Sequence, residues 1–293
     1  MPALLKTLLA VALFGWLLLA GKLNFGLLQG AHVQLHVLGC ALLLTSMLLQ
    51  SLRWSWLMAD KGLQVGFLAA LKITWVASFI GTFLPGALGM DVVRAMMVAG
   101  KAGPSRAVSM STVLWDRAIG LYALLWVGAA PSAWFLWGAP AMHADAVRYL
   151  ACTNIALLFA ASALLLAIPY LRSRSKLFQA KTQRLLPFFP GPRAFCRALA
   201  LALVPNIIDT FTYFVAGLTI GSTLSADQVF LVGPLLTLAN SLPLTPGGIG
   251  VGEASAALLF AQLGEPGGAM IMLITRLWSL LLRLAGGAWW VVG

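Results

Sequence analysis

Ten charged side chains lie inside otherwise apolar stretches of this 293-residue sequence. They are Arg53, Lys72, Asp91, Arg94, Asp116, Arg117, Asp209, Glu253, Arg276 and Arg283. A charge at the centre of a bilayer costs about 2.5 to 3.5 kcal/mol on insertion scales, so such residues pair or face water. Because the planar guanidinium fork matches phosphate oxygens, the arginines predict a phosphate site. The acids there would orient the arginines or accept a coupling proton.

The acids have an equally good structural explanation. Asp91 and Arg94 are three residues apart and can pair on one helix. Asp91 and Glu253 also lie near predicted helix starts, where a carboxylate is favourable. For Asp209, which lies beside Asn206 in an apolar stretch, a packed polar contact is as good an explanation as a functional role. From the residues alone both explanations stay open.

Patterns for other chemistry are weak. His32 and His36 are four residues apart, but no acidic or thiol side chain accompanies them, so we expect no metal there. Cys40, Cys152 and Cys196 have no metal-ligand spacing and predict no disulfide framework. The phosphate-loop signature G-x-x-x-x-G-K-[ST] is missing from the sequence. We therefore expect no cofactor, no metal and no enzymatic activity.

The elements that position these charges are membrane helices. The sequence is 61% hydrophobic and 9% charged, whereas a soluble domain has about 25% charged residues. Since a span needs about 20 apolar residues, six full spans are predicted. They cover residues 3–21, 33–52, 107–130, 149–169, 198–220 and 267–291. The first could be a signal peptide, but no small-x-small cleavage site follows, and we interpret it as a retained span.

Two further apolar regions, 66–99 and 228–264, are interrupted by proline and glycine. The breaks are Phe83-Leu84-Pro85-Gly86-Ala87-Leu88-Gly89 and Leu242-Pro243-Leu244-Thr245-Pro246-Gly247-Gly248-Ile249-Gly250. Irregular backbone at membrane depth is tolerated only inside protein or beside a water-filled cavity. Both regions are therefore predicted to be re-entrant helical hairpins. The fold class is an all-α polytopic membrane protein with about six full spans and two such hairpins.

The loops indicate the orientation. Segment 171–197 contains seven arginines and lysines and no acid, which predicts a cytoplasmic loop. A site for anionic lipid headgroups is the alternative. With this loop inside, both termini lie in the cytoplasm. The net charge of +11 does not predict nucleic-acid binding, because no basic stripe with interleaved aromatic residues occurs outside the apolar segments.

This topology reveals an inverted repeat within a single transmembrane domain, 1–293. Each half, 1–130 and 149–293, has the order span, span, hairpin, span, and the halves start on opposite sides, as in transporters. Pro85-Gly86-x-x-Gly89-x-Asp91 is similar to Pro246-Gly247-Gly248-Ile249-Gly250-Val251-Gly252-Glu253. In each half an arginine follows the acid, Arg117 after Asp91 and Arg276 after Glu253.

The two hairpin tips are expected to meet near the membrane midplane. A helix N-terminus has unpaired N–H groups and about half a positive charge, so two facing one cavity form an anion site. The candidate substrate-binding residues are Arg53, Pro85, Gly86, Gly89, Asp91, Arg94, Asp116, Arg117, Pro246, Gly247, Gly248, Gly250, Glu253 and Arg276. The alternative is that the glycines only permit tight turns and close packing.

Four sequence blocks resemble one family. They are Leu52-Arg53-Trp54, Leu84-Pro85-Gly86-Ala87-Leu88-Gly89-Met90-Asp91-Val92-Val93-Arg94, Asp116-Arg117-Ala118-Ile119-Gly120-Leu121 and Leu242-Pro243-Leu244-Thr245-Pro246-Gly247-Gly248-Ile249-Gly250-Val251-Gly252-Glu253. In this order they are similar to blocks of the lysylphosphatidylglycerol synthase transmembrane-region family, also called the flippase-like domain family.

The resemblance implies movement of lipids between leaflets of a bacterial-type cytoplasmic membrane. Fused members add a soluble domain that makes aminoacylated phosphatidylglycerol, and this chain has no room for it, so no synthase activity is expected. The leading hypothesis is a flippase-like transporter for an anionic or zwitterionic phosphate-bearing lipid. The alternative is a non-transporting scaffold that binds a lipid or a partner envelope-lipid enzyme. A homo-oligomer or a complex with a lipid-synthesis enzyme is compatible with either.

Overall fold

The computed structural model describes residues 33–83, 89–101, 106–137, 145–174, 189–242, 244–245 and 248–292. In this part of the chain the regular secondary structure consists of nine α-helices, without a strand. They are α1 (Val33–Asp60), α2 (Phe67–Phe83), α3 (Gly89–Lys101), α4 (Arg106–Trp137), α5 (Asp145–Arg174), α6 (Pro192–Thr219), α7 (Ala226–Asn240), α8 (Val251–Ala261) and α9 (Gly268–Val292).

Five of these helices, α1, α4, α5, α6 and α9, are long and apolar enough to cross a membrane. They coincide with five of the six spans predicted from the sequence, and the sixth, 3–21, lies outside the described residues. Since lipid leaves no water to satisfy open backbone groups, each segment closes its hydrogen bonds within a helix. The protein is therefore an all-helical, multi-pass membrane protein.

The long helices extend beyond the apolar segments. Helix α1 continues to Asp60, and α5 continues to Arg174, so the basic segment predicted as a loop at 171–197 begins within a helix. Lysine and arginine are good helix formers, so leaving the apolar stretch does not end the helix. At the other side of the segment, α6 begins at Pro192, where a proline in the first turn loses no hydrogen bond.

Four short helices form two successive pairs, α2 with α3 and α7 with α8. They contain 17, 13, 15 and 11 residues. At 1.5 Å per residue they are about 17 to 26 Å long, less than the hydrocarbon thickness of about 30 Å. Each pair is separated at a predicted proline and glycine break. Before α8, Gly248 (φ 72°) and Gly250 (φ 82°) have left-handed backbone conformations that suit glycine.

Packing brings the two halves of the chain together. The most extensive helix contact joins α1 to α6, and α9 packs against both α2 and α8. Two glycines of α9 permit these approaches, because a Cβ on Gly268 would overlap the Ala256 carbonyl and one on Gly286 would overlap the Trp75 carbonyl. Small residues at crossings are how membrane helices pack closely. The resulting bundle encloses a polar centre.

Candidate functional site

Asp116 joins three helices in the buried centre. Its carboxylate accepts from Nε of Arg53 on α1 at 2.8 Å and from Nη1 of Arg94 on α3 at 3.1 Å. Asp116 itself is 3% exposed. A buried carboxylate is tolerated when cations and hydrogen bonds compensate for its lost hydration. One aspartate on α4 therefore orients two guanidinium groups from different helices.

Asp91 and Arg117 form a second ion pair beside this one. Nη1 of Arg117 lies 2.6 Å from Oδ2 of Asp91, and Arg94 lies 3.8 Å from the other oxygen of Asp91. Nη2 of Arg117 donates to the carbonyl of Ser241 at 3.0 Å, directly after α7. Arg117 thus connects the start of α3 to the end of α7, and so one half of the chain to the other.

Arg94 retains unused hydrogen-bonding capacity. Its side chain is 5% exposed, and its guanidinium stacks over the Trp54 ring at 3.9 Å. Among the described residues, Nε and Nη2 have no hydrogen-bond partner. Leaving buried donors unpaired is costly, so such donors in a native structure indicate a ligand, a water or an ion.

The corresponding pair of the second half is Glu253 with Arg276, whose Nε lies 2.5 Å from Oε1 of Glu253. Glu253 is fully buried and accepts the N–H of Gly250 at 2.8 Å. Arg276 donates to the carbonyl of Gly248 at 3.0 Å and to Oδ1 of Asn240 at 3.4 Å. This pair holds the start of α8 and the loop before it.

A polar cavity of about 380 Å³ lies between helices of both halves. The predicted site residues that line it are Arg53, Asp91, Arg94, Asp116 and Arg117. Glu253 and Arg276 lie behind Asn240, which does line the cavity. Gly89 and Gly250 are placed at helix starts, and Gly248 lies in the loop before α8. Pro85, Gly86, Pro246 and Gly247 lie outside the described residues.

Other cavity residues were not among the candidate substrate-binding residues, although Asp209 and Arg283 were among the ten embedded charges. They include Gln50, Asn206, Asp209, Asn240, Ser241 and Arg283. For some of them the sequence spacing could have indicated a shared helix face. Asn206 and Asp209 are three residues apart, and Arg283 is two turns after Arg276. The direction in which those faces point depends on helix packing. With Arg283 and Asp209 included, four guanidinium groups face three carboxylates in the cavity, an excess of one formal positive charge.

An all-helical bundle with five membrane-crossing helices around a charged cavity is a multi-pass integral membrane protein. The family model described as the lysylphosphatidylglycerol synthase TM region matches residues 3–287, essentially the whole chain. The protein belongs to this family, which confirms the resemblance carried by its four sequence blocks. None of the curated proteins compared with the chain matches it.

Proposed function

We propose that this protein is a flippase-like transporter, rather than an enzyme, that moves a phosphate-bearing lipid between membrane leaflets. The headgroup enters the central cavity while the acyl chains stay in the surrounding lipid. The observation that carries the proposal is Arg94, which lines a cavity with excess positive charge and has two buried donors that no described residue uses. Guanidinium donors in a site of low dielectric bind phosphate oxygens strongly.

The proposed mechanism requires the two halves to be an inverted repeat. Its support is that each short helix pair breaks at a corresponding position and carries a corresponding ion pair, Asp91–Arg117 and Glu253–Arg276. In each case an acid near the start of a short helix pairs with an arginine on the next long helix. We interpret α2–α3 and α7–α8 as re-entrant hairpins, whose tips would meet at the membrane midplane.

Alternating access would come from one half rocking against the other. The hydrogen bond from Arg117 to the Ser241 carbonyl joins the halves beside the cavity, so it would break and re-form in each cycle. The expected location is a bacterial-type cytoplasmic membrane, with both termini and the basic segment 171–197 on the cytoplasmic side. A charged headgroup would then pass through the protein, without crossing the hydrocarbon core.

A vesicle assay tests the transport proposal. Wild type, Arg94→Gln and the control Arg197→Gln would be reconstituted into liposomes with acyl-labelled phospholipids, and label in the outer leaflet would be quenched from outside. Arg197 is an exposed arginine over Trp56 on the surface. We expect wild type and R197Q to equilibrate the label between leaflets. R94Q should be slower by about tenfold or more, as for a lost charge-assisted hydrogen bond.

We expect Arg94→Lys to translocate lipid at a rate between those of wild type and R94Q, because lysine keeps the charge but lacks the fork of donors. If wild type and R94Q both match empty vesicles across a panel of anionic and zwitterionic phospholipids, the transport proposal is wrong. Stoichiometric lipid binding without translocation would favour the alternative, a scaffold that holds a lipid or a partner enzyme.

A further inference from the structure

Besides the arginines, the cavity is lined by side chains that offer hydrogen-bond acceptors. Helix α6 contributes Asn206 and Asp209, and α1 contributes Gln50. Nε2 of Gln50 donates to Oδ2 of Asp209 at 3.2 Å, so the two helices meet at this point. These three residues thus differ in chemistry from the arginines that the proposed function uses for phosphate.

Hydrogen bonds fix the orientation of both amides. Nδ2 of Asn206 donates to the carbonyls of Gly120 at 3.1 Å and Ala202 at 2.8 Å. Because carbonyl oxygens only accept, the side-chain atom that faces them must be the nitrogen. Oδ1 of Asn206 therefore points elsewhere, and no described residue donates a hydrogen bond to it. Nε2 of Gln50 is likewise used by Asp209 and by Oγ of Ser46 at 2.9 Å, which leaves Oε1 of Gln50 as a second unused acceptor.

Asp209 differs from the other central acids in having no arginine or lysine partner. Asp91, Asp116 and Glu253 each lie within 3.2 Å of a guanidinium nitrogen. Within the described parts of the chain, no cationic nitrogen is within 4.0 Å of Asp209, whose neighbours are the neutral Gln50 and Ser46. Arg53 acts on it only at longer range, since it pairs with Asp116. Among the described residues, Asp209 therefore lacks the ion-pair partner that usually compensates a charged side chain inside a membrane protein.

We propose that Asp209, Asn206 and Gln50 form a subsite for a primary ammonium group. An ammonium has three donors and no acceptor, which matches one carboxylate and two amide oxygens. Together with Arg94, which lines the same cavity, this subsite complements a headgroup that carries phosphate and ammonium together. Resting on the proposed function, the inference makes the cargo a zwitterionic, amine-bearing phospholipid.

The test is lipid binding, measured separately from transport. Native mass spectrometry of the protein in mixed micelles would compare phosphatidylethanolamine, its N-acetylated form and phosphatidylglycerol, all with the same acyl chains. We expect wild type to bind phosphatidylethanolamine about tenfold more tightly than the N-acetylated lipid, which lacks the charged donor. Asp209→Asn should remove this preference and leave phosphatidylglycerol binding within about twofold. Asp209→Glu should retain much of the preference, because it keeps the carboxylate.

Asp227→Asn is the matched control, because Asp227 is an exposed acid at the start of α7, outside the cavity lining. It should behave as wild type. The D209N variant keeps an acceptor for Gln50 and is expected to fold. If it does not, Gln50→Met tests the same subsite from α1 and should reduce the preference several-fold.

Equal affinity of wild type for the amine and N-acetyl lipids would overturn the subsite, as would equal loss of all three lipids in D209N. Competition with soluble phosphoethanolamine distinguishes a lipid headgroup from a soluble amine as the ligand. If it displaces the lipid at equal concentration, the ligand is a soluble amine and the lipid assignment is wrong. Translocation without amine preference overturns only the subsite, and amine-selective binding without translocation overturns only the transport proposal.

Discussion

At the level of individual residues, buried carboxylates are shared between arginines. Asp116 forms ion pairs with Arg53 and Arg94, and Asp91 forms ion pairs with Arg94 and Arg117. Each carboxylate therefore offsets more than one guanidinium. Arg94 contacts both acids through Nη1, and no described residue accepts from its Nε or Nη2. A shared arrangement of this kind holds Arg94 in place without using all of its donors, as the proposed phosphate site requires.

Removing the shared carboxylate should be costly. In Asp116→Asn, two buried guanidinium groups lose their common anion, and we expect the free energy of unfolding to fall by about 3 to 5 kcal/mol. A lower apparent Tm in detergent, followed by tryptophan fluorescence, would show it. Asp145→Asn, at an exposed acid in the first turn of α5, is the control. An Asp116→Asn protein as stable as that control would contradict the buried network.

Glu253 should act on stability more than on lipid recognition. It is fully buried, caps the start of α8 and pairs with Arg276 behind Asn240. Glu253→Gln keeps the shape but leaves Arg276 without its anion, so we expect a clear loss of thermal stability. Lipid affinity of the protein that remains folded should stay within about threefold of wild type. A large loss of affinity at unchanged stability would instead place Glu253 in the binding site.

At the scale of elements, the short helices depend on close contacts with longer ones. Helix α9 packs against α8 and α2, and it does so at Gly268 and Gly286, where there is no room for a side chain. Between membrane helices there is little hydrophobic driving force, so association relies on this kind of close packing. The glycines of α9 thus fix the positions of α8 and of α2, which lines the cavity with Ser78 and Gly81.

Gly268→Ala should separate α8 from α9. The added methyl group would overlap the Ala256 carbonyl, and backbone cannot move as a side-chain tip can. We expect destabilisation of about 1 to 3 kcal/mol, measured as a lower apparent Tm. Gly66→Ala is the matched control, because a Cβ there meets no atom within 4 Å. Equal Tm values for the two variants would contradict the packing of α9 on α8.

At the scale of the whole molecule, the sequence predicts the sides of the membrane that the connections occupy. The connection between α1 and α2 is predicted to be cytoplasmic, and the start of α7 to be external. In a background with Cys40, Cys152 and Cys196 replaced, Gln64→Cys and Asp227→Cys report on these two exposed positions. With an impermeant maleimide on intact cells, we expect D227C to react and Q64C to react only after permeabilisation. The reverse pattern would invert the topology.

Sequence alone determined the positions of five membrane-crossing helices and the breaks that separate α2 from α3 and α7 from α8. These are local properties, because lipid requires about 20 apolar residues per span and proline and glycine interrupt the helix where they occur. The sequence also located the embedded charges for the same reason, since a charged residue in an apolar stretch can be identified without knowing which residue it pairs with.

Tertiary structure decided which of those charges meet. Spacing suggested that Asp91 pairs with Arg94, yet Arg94 lies closer to Asp116 and Asp91 lies closer to Arg117. It also placed Asp209 beside the cavity, although a packed contact explained it equally well in the sequence. The physical reason is that these contacts join helices far apart in the chain. Their geometry follows from how the helices cross, which no local pattern encodes.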